Sequence, residues 1–218
     1  MDDVKTPRDR RSRRAEATRL RIIDAAAKLF DQRGYGGTTI EAVASEADVA
    51  VETVYARFKN KRNLLAAYLD MTIVGDTQPV PLLDRDEVRK IREAHDQDEQ
   101  LRLLARLARN LLGRAASAHA ALRSAAAVDP EVTAIAEEDD RRRRATQRVF
   151  IEMVAAAGPL RDGLSIAEAA DTFGALTSPE TYALLTRQRG WSPARYERWL
   201  ATNLALTLLP TRRDVIEA

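Results

Sequence analysis

Cysteine is absent from this 218-residue chain, which removes disulfides, thiolate metal sites and cysteine nucleophiles together. Histidine occurs only at His95 and His119. There is no Glu-x-x-His pair and no Gly-rich phosphate loop, so neither a metal, a cofactor nor an enzymatic activity is expected. Aromatic residues make up 5% of the chain, and no apolar run approaches the roughly 20 residues needed to span a bilayer. The N-terminal VKTPRDRRSRR also lacks the apolar core of a secretory signal, so a cytoplasmic protein without membrane contact is expected. What the chain has in abundance is Ala, Leu and Arg, within a hydrophobic content of 45%. That composition supports a real core and favours helices over a sheet, and the expected fold class is all-α.

Net charge is only +2, but it is unevenly spread. Residues 1–62 hold 14 Lys and Arg against 10 Asp and Glu, leaving 21 against 23 for the remainder. The basic excess lies in the N-terminal part. Arg8, Arg10, Arg11, Arg13, Arg14, Arg19 and Arg21 crowd together there. Such a run is either a solvated tail or an arm and helix start lying along phosphates, with Arg13 and Arg14 at the boundary.

The most informative stretch is Thr39 to Phe58, TIEAVASEADVAVETVYARF. Ile40, Val43, Ala44 and Ala47 recur at helical spacing, and Val54 and Phe58 repeat it after a break at Ala47-Asp48-Val49. Asp48 is one of the few residue types besides Gly that accepts a left-handed backbone, as the turn of a helix-turn-helix requires. A first helix over about 13–33 carries Ile22, Ile23, Ala26, Leu29 and Phe30 as one stripe, and Gly34 stops it. Thr39 is placed to cap the next helix, about 40–46.

The second helix of the motif, about 51–57, is expected to enter the major groove. With Val54 and Phe58 on the core side, Glu52, Thr53 and Ala56 point away, and Val51 and Tyr55 lie on the flank. Val51 suits a thymine methyl, Glu52 a cytosine amino group, and Thr53 a base or phosphate. Glu52 has the competing reading of a solvent-facing helix former, and Tyr55 that of a half-buried core aromatic rather than a phosphate donor. Lys61, at the start of the following helix, reads either as part of an anion site or as an ordinary exposed lysine. Thr38, Arg57 and Lys59 complete the candidate DNA-binding set.

Residues from about Arg13 to Leu69 resemble the DNA-binding domain of TetR-family transcriptional repressors. The resemblance rests on LRIIDAAAKLFDQRGYGGTTIEAVASEADVAVETVYARFKNKRNLL. It implies that Thr39, Thr53, Tyr55 and Lys61 touch DNA. Asp48, Ala50 and Arg57 depart from the family's usual glycine, capping serine and histidine.

Beyond this region the fourth helix is expected to reach about residue 74, and the loop GDTQPVP at 75–81 to form a hinge. Further helices are expected near 84–95, 97–126 with a break around Gly113 to Ser117, 130–157, 165–187 and 192–209. Pro130, Ser165 with Glu168, and Ser192 with Pro193 mark starts, and Pro179 is expected to kink or split the helix it enters. Arg141 to Arg144 follow Glu137 to Asp140 and suit i,i+4 ion pairs on a solvated face. The organisation is thus a disordered basic arm (1–12), a three-helix DNA-binding domain (13–75, motif 39–58) and a larger helical domain (76–218).

TSPETYALLTRQRGWSPARYERWL and EEDDRRRRATQRVFIEMVAAAG in the larger domain are also similar to family C-terminal domains. That similarity implies a homodimer through the last two long helices and a cavity for a small-molecule effector. Ile166, Ala169, Ala170, Phe173, Trp199, Leu200, Leu204 and Leu208 are the candidate dimer residues. Leu104, Leu107, Leu111, Phe150, Met153, Val154, Phe173 and Tyr182 line the candidate pocket or simply form core. An apolar effector fits this set better than an anion. The expected function is a homodimeric repressor held on double-stranded DNA at an inverted-repeat operator and released by the effector. The alternative is an all-α scaffold or interaction protein, or an all-α enzyme, whose N-terminal part is only structural.

Overall fold

The computed structural model describes residues 7–74 and 80–210, and every described element is helical. In chain order these are α1 (Pro7–Arg33), α2 (Ile40–Glu46), α3 (Val51–Phe58), α4 (Lys61–Val74), α5 (Asp86–Arg92), α6 (Gln97–Ala126), α7 (Pro130–Ala157), α8 (Ile166–Leu176), α9 (Pro179–Ala183) and α10 (Pro193–Leu208). A 3₁₀ turn, Leu82–Asp84, precedes α5, and a π-helical turn, Leu184–Gln188, extends α9. Two compact units result. One takes the chain up to Met71 together with Ser117–Ile135, and the other takes Thr72–Ala116 and everything from Ala136. The stretch Ser117–Ile135, expected from sequence in the larger domain, therefore packs in the unit that holds the helix-turn-helix.

In the first unit α1 buries Ile22, Ile23, Ala26, Leu29 and Phe30, the stripe that a 3.6-residue period places on one side. Arg is a good helix former and Pro7 stands at the first helical position, where its missing N–H costs nothing. The helix therefore starts at Pro7 rather than at Arg13, and the rest of the expected disordered arm, residues 1–6, lies outside the described residues. So do residues 75–79 of the expected hinge. Gly34 ends α1 at φ 68°, its N–H bonded to Phe30 O at 3.0 Å. Gly37 is a second position open only to glycine, because a Cβ there would stand 2.5 Å from Arg33 O.

The turn between α2 and α3 is built by the backbone. Val49 N–H donates to Ala44 O at 3.0 Å and Asp48 N–H to Ser45 O at 3.2 Å, the paired bonds that close a helix through a left-handed residue. That residue is Asp48, at φ 51°. Ala50 then opens α3 with no side-chain cap, a loss of about 1 kcal/mol relative to a serine.

The second unit has one apolar core. Val88 and Ile91 of α5, Leu101, Leu104, Ala105 and Leu112 of α6, Phe150, Ile151 and Val154 of α7, and Phe173 of α8 are all buried in it. α10 joins them through Tyr196, Leu200, Leu204 and Leu208, each fully buried, at the four-residue spacing that keeps one helical face inward. Three starts are capped by serine: Ser165 with Glu168 in a reciprocal capping box, Ser178, and Ser192. The stretch after residue 165 is split at Ser178 and Pro179 into α8 and α9, the outcome expected of a proline at that position. The break expected around Gly113 does not occur, since α6 runs unbroken through it. One glycine costs a helix only about 1 kcal/mol, and the surrounding Ala, Leu and Arg outweigh it. In the acidic-basic run of α7, Arg141 pairs with Glu138 at 2.7 Å, Arg144 pairs with Asp140, and Arg142 stands 4.0 Å from Asp139.

Tyr196 closes this core, its ring 4.9 Å from that of Tyr182 and its hydroxyl donating to Leu176 O at 2.9 Å. Burial pushes that hydroxyl far above the ordinary tyrosine range, and the neighbouring Tyr182 adds to the effect. Because the folded value exceeds the unfolded one, the contribution of Tyr196 to stability is complete below about pH 10 and is lost as pH rises above it. Tyr196→Phe should cost about 1 kcal/mol at neutral pH. In urea titrations the gap from wild type should narrow above pH 10, and a gap constant to pH 11 would contradict this placement.

Candidate nucleic-acid interface

α3 is held by two side chains. Val54 and Phe58 are buried, which turns the opposite face of this two-turn helix outward. Glu52, Tyr55, Ala56 and Arg57 are exposed, with Val51 and Thr53 half-buried at the edges. Tyr55 is 47% exposed, among the most exposed of the large apolar side chains, so its hydroxyl is presented to solvent and its ring is not core. Lys59 follows in a left-handed conformation at φ 66°, its N–H bonded to Tyr55 O at 2.8 Å and its side chain exposed. A carboxylate, a phenol and two cations thus stand exposed on and just after this short helix, groups able to pair with base edges and phosphates.

The two threonines before α2 divide their work. Thr39 is exposed and its hydroxyl oxygen accepts Ala42 N–H at 3.1 Å, which leaves the hydroxyl proton free to donate to a phosphate. Thr38 is fully buried, and its hydroxyl donates to Gly34 O at 2.8 Å. It is a turn-closing residue, and its place in the DNA-binding set is corrected accordingly. Arg13 and Arg14 are exposed on α1, part of a helix rather than of an extended arm.

Lys61 differs most from expectation. Its ammonium donates to Tyr35 O and Thr38 O, both at 2.9 Å, and lies 4.1 Å from the centroid of the Tyr35 ring. Burial holds it below the usual lysine range, while the carboxylate of Asp129 pulls the other way. Burial likewise raises the Tyr35 hydroxyl, with Asp129 and Glu131 adding to the shift and Arg62 opposing it. Two of the three donors of Lys61 are therefore spent inside the protein, tying the start of α4 to the turn between α1 and α2. Arg62, beside it, stands 3.6 Å from Asp129 and also pairs with Glu131. Neither role is visible in a basic tetrapeptide.

In the second unit the eight candidate pocket residues all belong to the one core, six of them buried and Leu111 and Met153 partly so. The candidate dimer set needs a correction. Ala169, Ala170, Phe173, Leu200, Leu204 and Leu208 are buried by their own chain and cannot offer area to a second one; only Ile166 and Trp199 of that set remain partly exposed. Leu206, which sequence reasoning did not select, is 61% exposed on α10. Among the described residues no group of three or more His, Asp or Glu is placed to hold a metal, and no helix is long and apolar enough to cross a membrane.

A helix-turn-helix with a core-anchored second helix and an open polar face is the geometry by which such motifs meet DNA. Residues 22–68, which hold the helix-turn-helix, match the family described as bacterial regulatory proteins, tetR family. That description is one of regulatory proteins. The HTH-type transcriptional regulator YvkB of Bacillus subtilis is 42% identical over 52 residues, covering 24% of this chain and 28% of that one. The HTH-type transcriptional repressor SCO4008 of Streptomyces coelicolor is 34% identical over 77 residues, 35% of this chain and 40% of its own. These matches span well under half of either relative. The fold extends further: the transcriptional regulator FadR of Bacillus subtilis, in complex with stearoyl-CoA, covers 85% of this chain and 96% of its own at a TM-score of 0.68 and 19% identity. A protein from Saccharomonospora viridis in complex with choline covers 88% and 98% at a TM-score of 0.67 and 22% identity.

Replacing Lys61 by Met keeps the aliphatic stem and removes the donors. The loss should destabilise the first unit by about 1–3 kcal/mol, the range for hydrogen bonds from a charged group. Thermal unfolding followed by circular dichroism checks this, and an unchanged midpoint would show that the clamp carries no weight.

Proposed function

We propose that this protein is a cytoplasmic, homodimeric transcriptional repressor that binds an inverted-repeat operator through α3 and is released by a small, largely apolar effector held in the second unit. The observation that carries the reading is the outward face of α3, where Glu52, Tyr55 and Arg57 stand exposed on a helix anchored from behind by Val54 and Phe58. Arg57 and Lys59 supply phosphate charge, Tyr55 and Thr39 donate hydroxyls to the backbone, and Val51, Glu52 and Thr53 face the base edges. Phosphate contacts set the register and the three edge residues set the sequence preference.

Two-fold symmetry in the protein requires approximate two-fold symmetry in the operator. The outward side of α10, where Leu206 is exposed and Trp199 partly so, is the part of the second unit that supports a dimer contact. The effector acts by binding more tightly to the conformation that does not hold DNA, which by linkage weakens DNA binding by the same factor. The solved relatives with stearoyl-CoA and choline hold chemically unlike molecules on this fold, so the effector must be read from this chain's own residues.

Selection from a random duplex pool should enrich an inverted repeat, and light scattering of the free protein at micromolar concentration should give a dimer mass. On the selected duplex Arg57→Ala should weaken binding and lower the slope of log affinity against log salt by about 1, the signature of one lost phosphate contact. No enriched sequence, or a monomer, would contradict the proposal.

A further inference from the structure

Gln100 lies in the first turns of α6 and is only 2% exposed, yet among the described residues its carboxamide oxygen Oε1 has no hydrogen-bond donor. Buried amides are almost always paired, and one that is not requires a reason. Helix capping does not supply it. Asp96 Oδ1 accepts Glu99 N–H at 2.7 Å, Glu99 Oε2 accepts His95 N–H at 2.9 Å, and the backbone N–H of Gln100 itself reaches Asp96 O at 3.0 Å. Nor does packing. Leu or Met would fill a similar volume without burying a polar group. Gln97, one turn earlier, shows the satisfied alternative, with Nε2 donating to Val154 O at 3.0 Å and to Pro159 O at 3.2 Å.

The position of Gln100 on the helix gives the unpaired oxygen its meaning. At 100° per residue, Gln100, Leu104, Leu107 and Leu111 fall within about 60° of one another on α6. Leu104 and Leu107 are buried and Leu111 partly so, all within the core of the second unit. The stripe is apolar from Leu104 onward and has one unpaired acceptor at its head. No charged residue shares it.

We propose that Gln100 is the polar recognition residue of the effector site. The ligand class it selects is a neutral, predominantly apolar molecule with one N–H or O–H donor. That donor pairs with Gln100 Oε1, and the apolar body lies along Leu104, Leu107 and Leu111. A charged head group is disfavoured, because nothing on this face would compensate it in a buried setting. Selectivity follows from the unmet acceptor: an analogue without the donor leaves the oxygen unpaired and binds more weakly. This assignment rests on the reading of the second unit as the effector-binding part.

N-phenyl-1-naphthylamine, an apolar fluorophore with a single N–H, is the test ligand, and 1,6-diphenylhexatriene, which has no donor, is its control. Wild type should bind N-phenyl-1-naphthylamine with a fluorescence increase. Gln100→Leu should weaken that binding about tenfold or more, leave 1,6-diphenylhexatriene unaffected or bound more tightly, and raise the ligand-free melting temperature by roughly 2–4 °C. Gln100→Met is measured alongside and carries the comparison if the branched side chain does not fold. Failure of wild type to bind N-phenyl-1-naphthylamine, equal affinity in wild type and variant, or a fall in melting temperature would each overturn the proposal. Affinity for the selected duplex is read on the same proteins. Loss of DNA binding with fluorophore binding intact counts against the regulator, not against Gln100.

Discussion

The geometry of the reading head depends on one ammonium group. Lys61 Nζ is bonded to Tyr35 O and Thr38 O and packed on the Tyr35 ring, which fixes the start of α4 against the turn that launches α2. α2 in turn sets α3, because the short turn at Asp48 leaves little freedom between them. An exposed face two helical turns long can read DNA only if its orientation is fixed before contact, since ordering it on binding would cost affinity. The same lysine has a second effect on recognition. With two donors engaged, the phosphate contacts proposed above fall chiefly to Arg57 and Lys59, both exposed.

The second unit is governed by a different constraint, the inward face of α10. Tyr196, Leu200, Leu204 and Leu208 are all at or near zero exposure, so that helix is first a core element of its own chain. A second copy could meet only what is left, a narrower strip around Trp199 and Leu206. The core also tolerates a polar exception, the Gln100 amide oxygen on the α6 stripe, which has no donor among the described residues. Tyr196, by contrast, buries its hydroxyl only with a carbonyl partner at 2.9 Å. That contrast gives Gln100 its interest.

Much of this was legible in the sequence where the signal was periodic or stereochemical. The α1 stripe, the caps at Ser165 and Ser192, and a left-handed residue at Asp48 each follow from local rules. What escaped depends on partners distant in the chain. Lys61 meets carbonyls 26 and 23 residues away, and nothing in Lys59 to Arg62 foretells that the third of these four residues will spend its donors on backbone carbonyls. Apolar spacing in α10 correctly marked residues for burial but could not say against what, so core was read as interface. Thr38 and Thr39 are chemically equal in sequence and opposite in the fold. Gln100 reads as one more polar residue among Gln97, Asp98 and Glu99 until its exposure is known.

Fluorescence anisotropy with the duplex upstream of the protein's own gene, against a scrambled duplex of equal composition and at two salt concentrations, tests the central claim most directly. A DNA-reading α3 predicts tight binding to the native duplex, much weaker binding to the scrambled one, and loss of both as salt releases the phosphate contacts. Absence of binding to either duplex at low salt would contradict it.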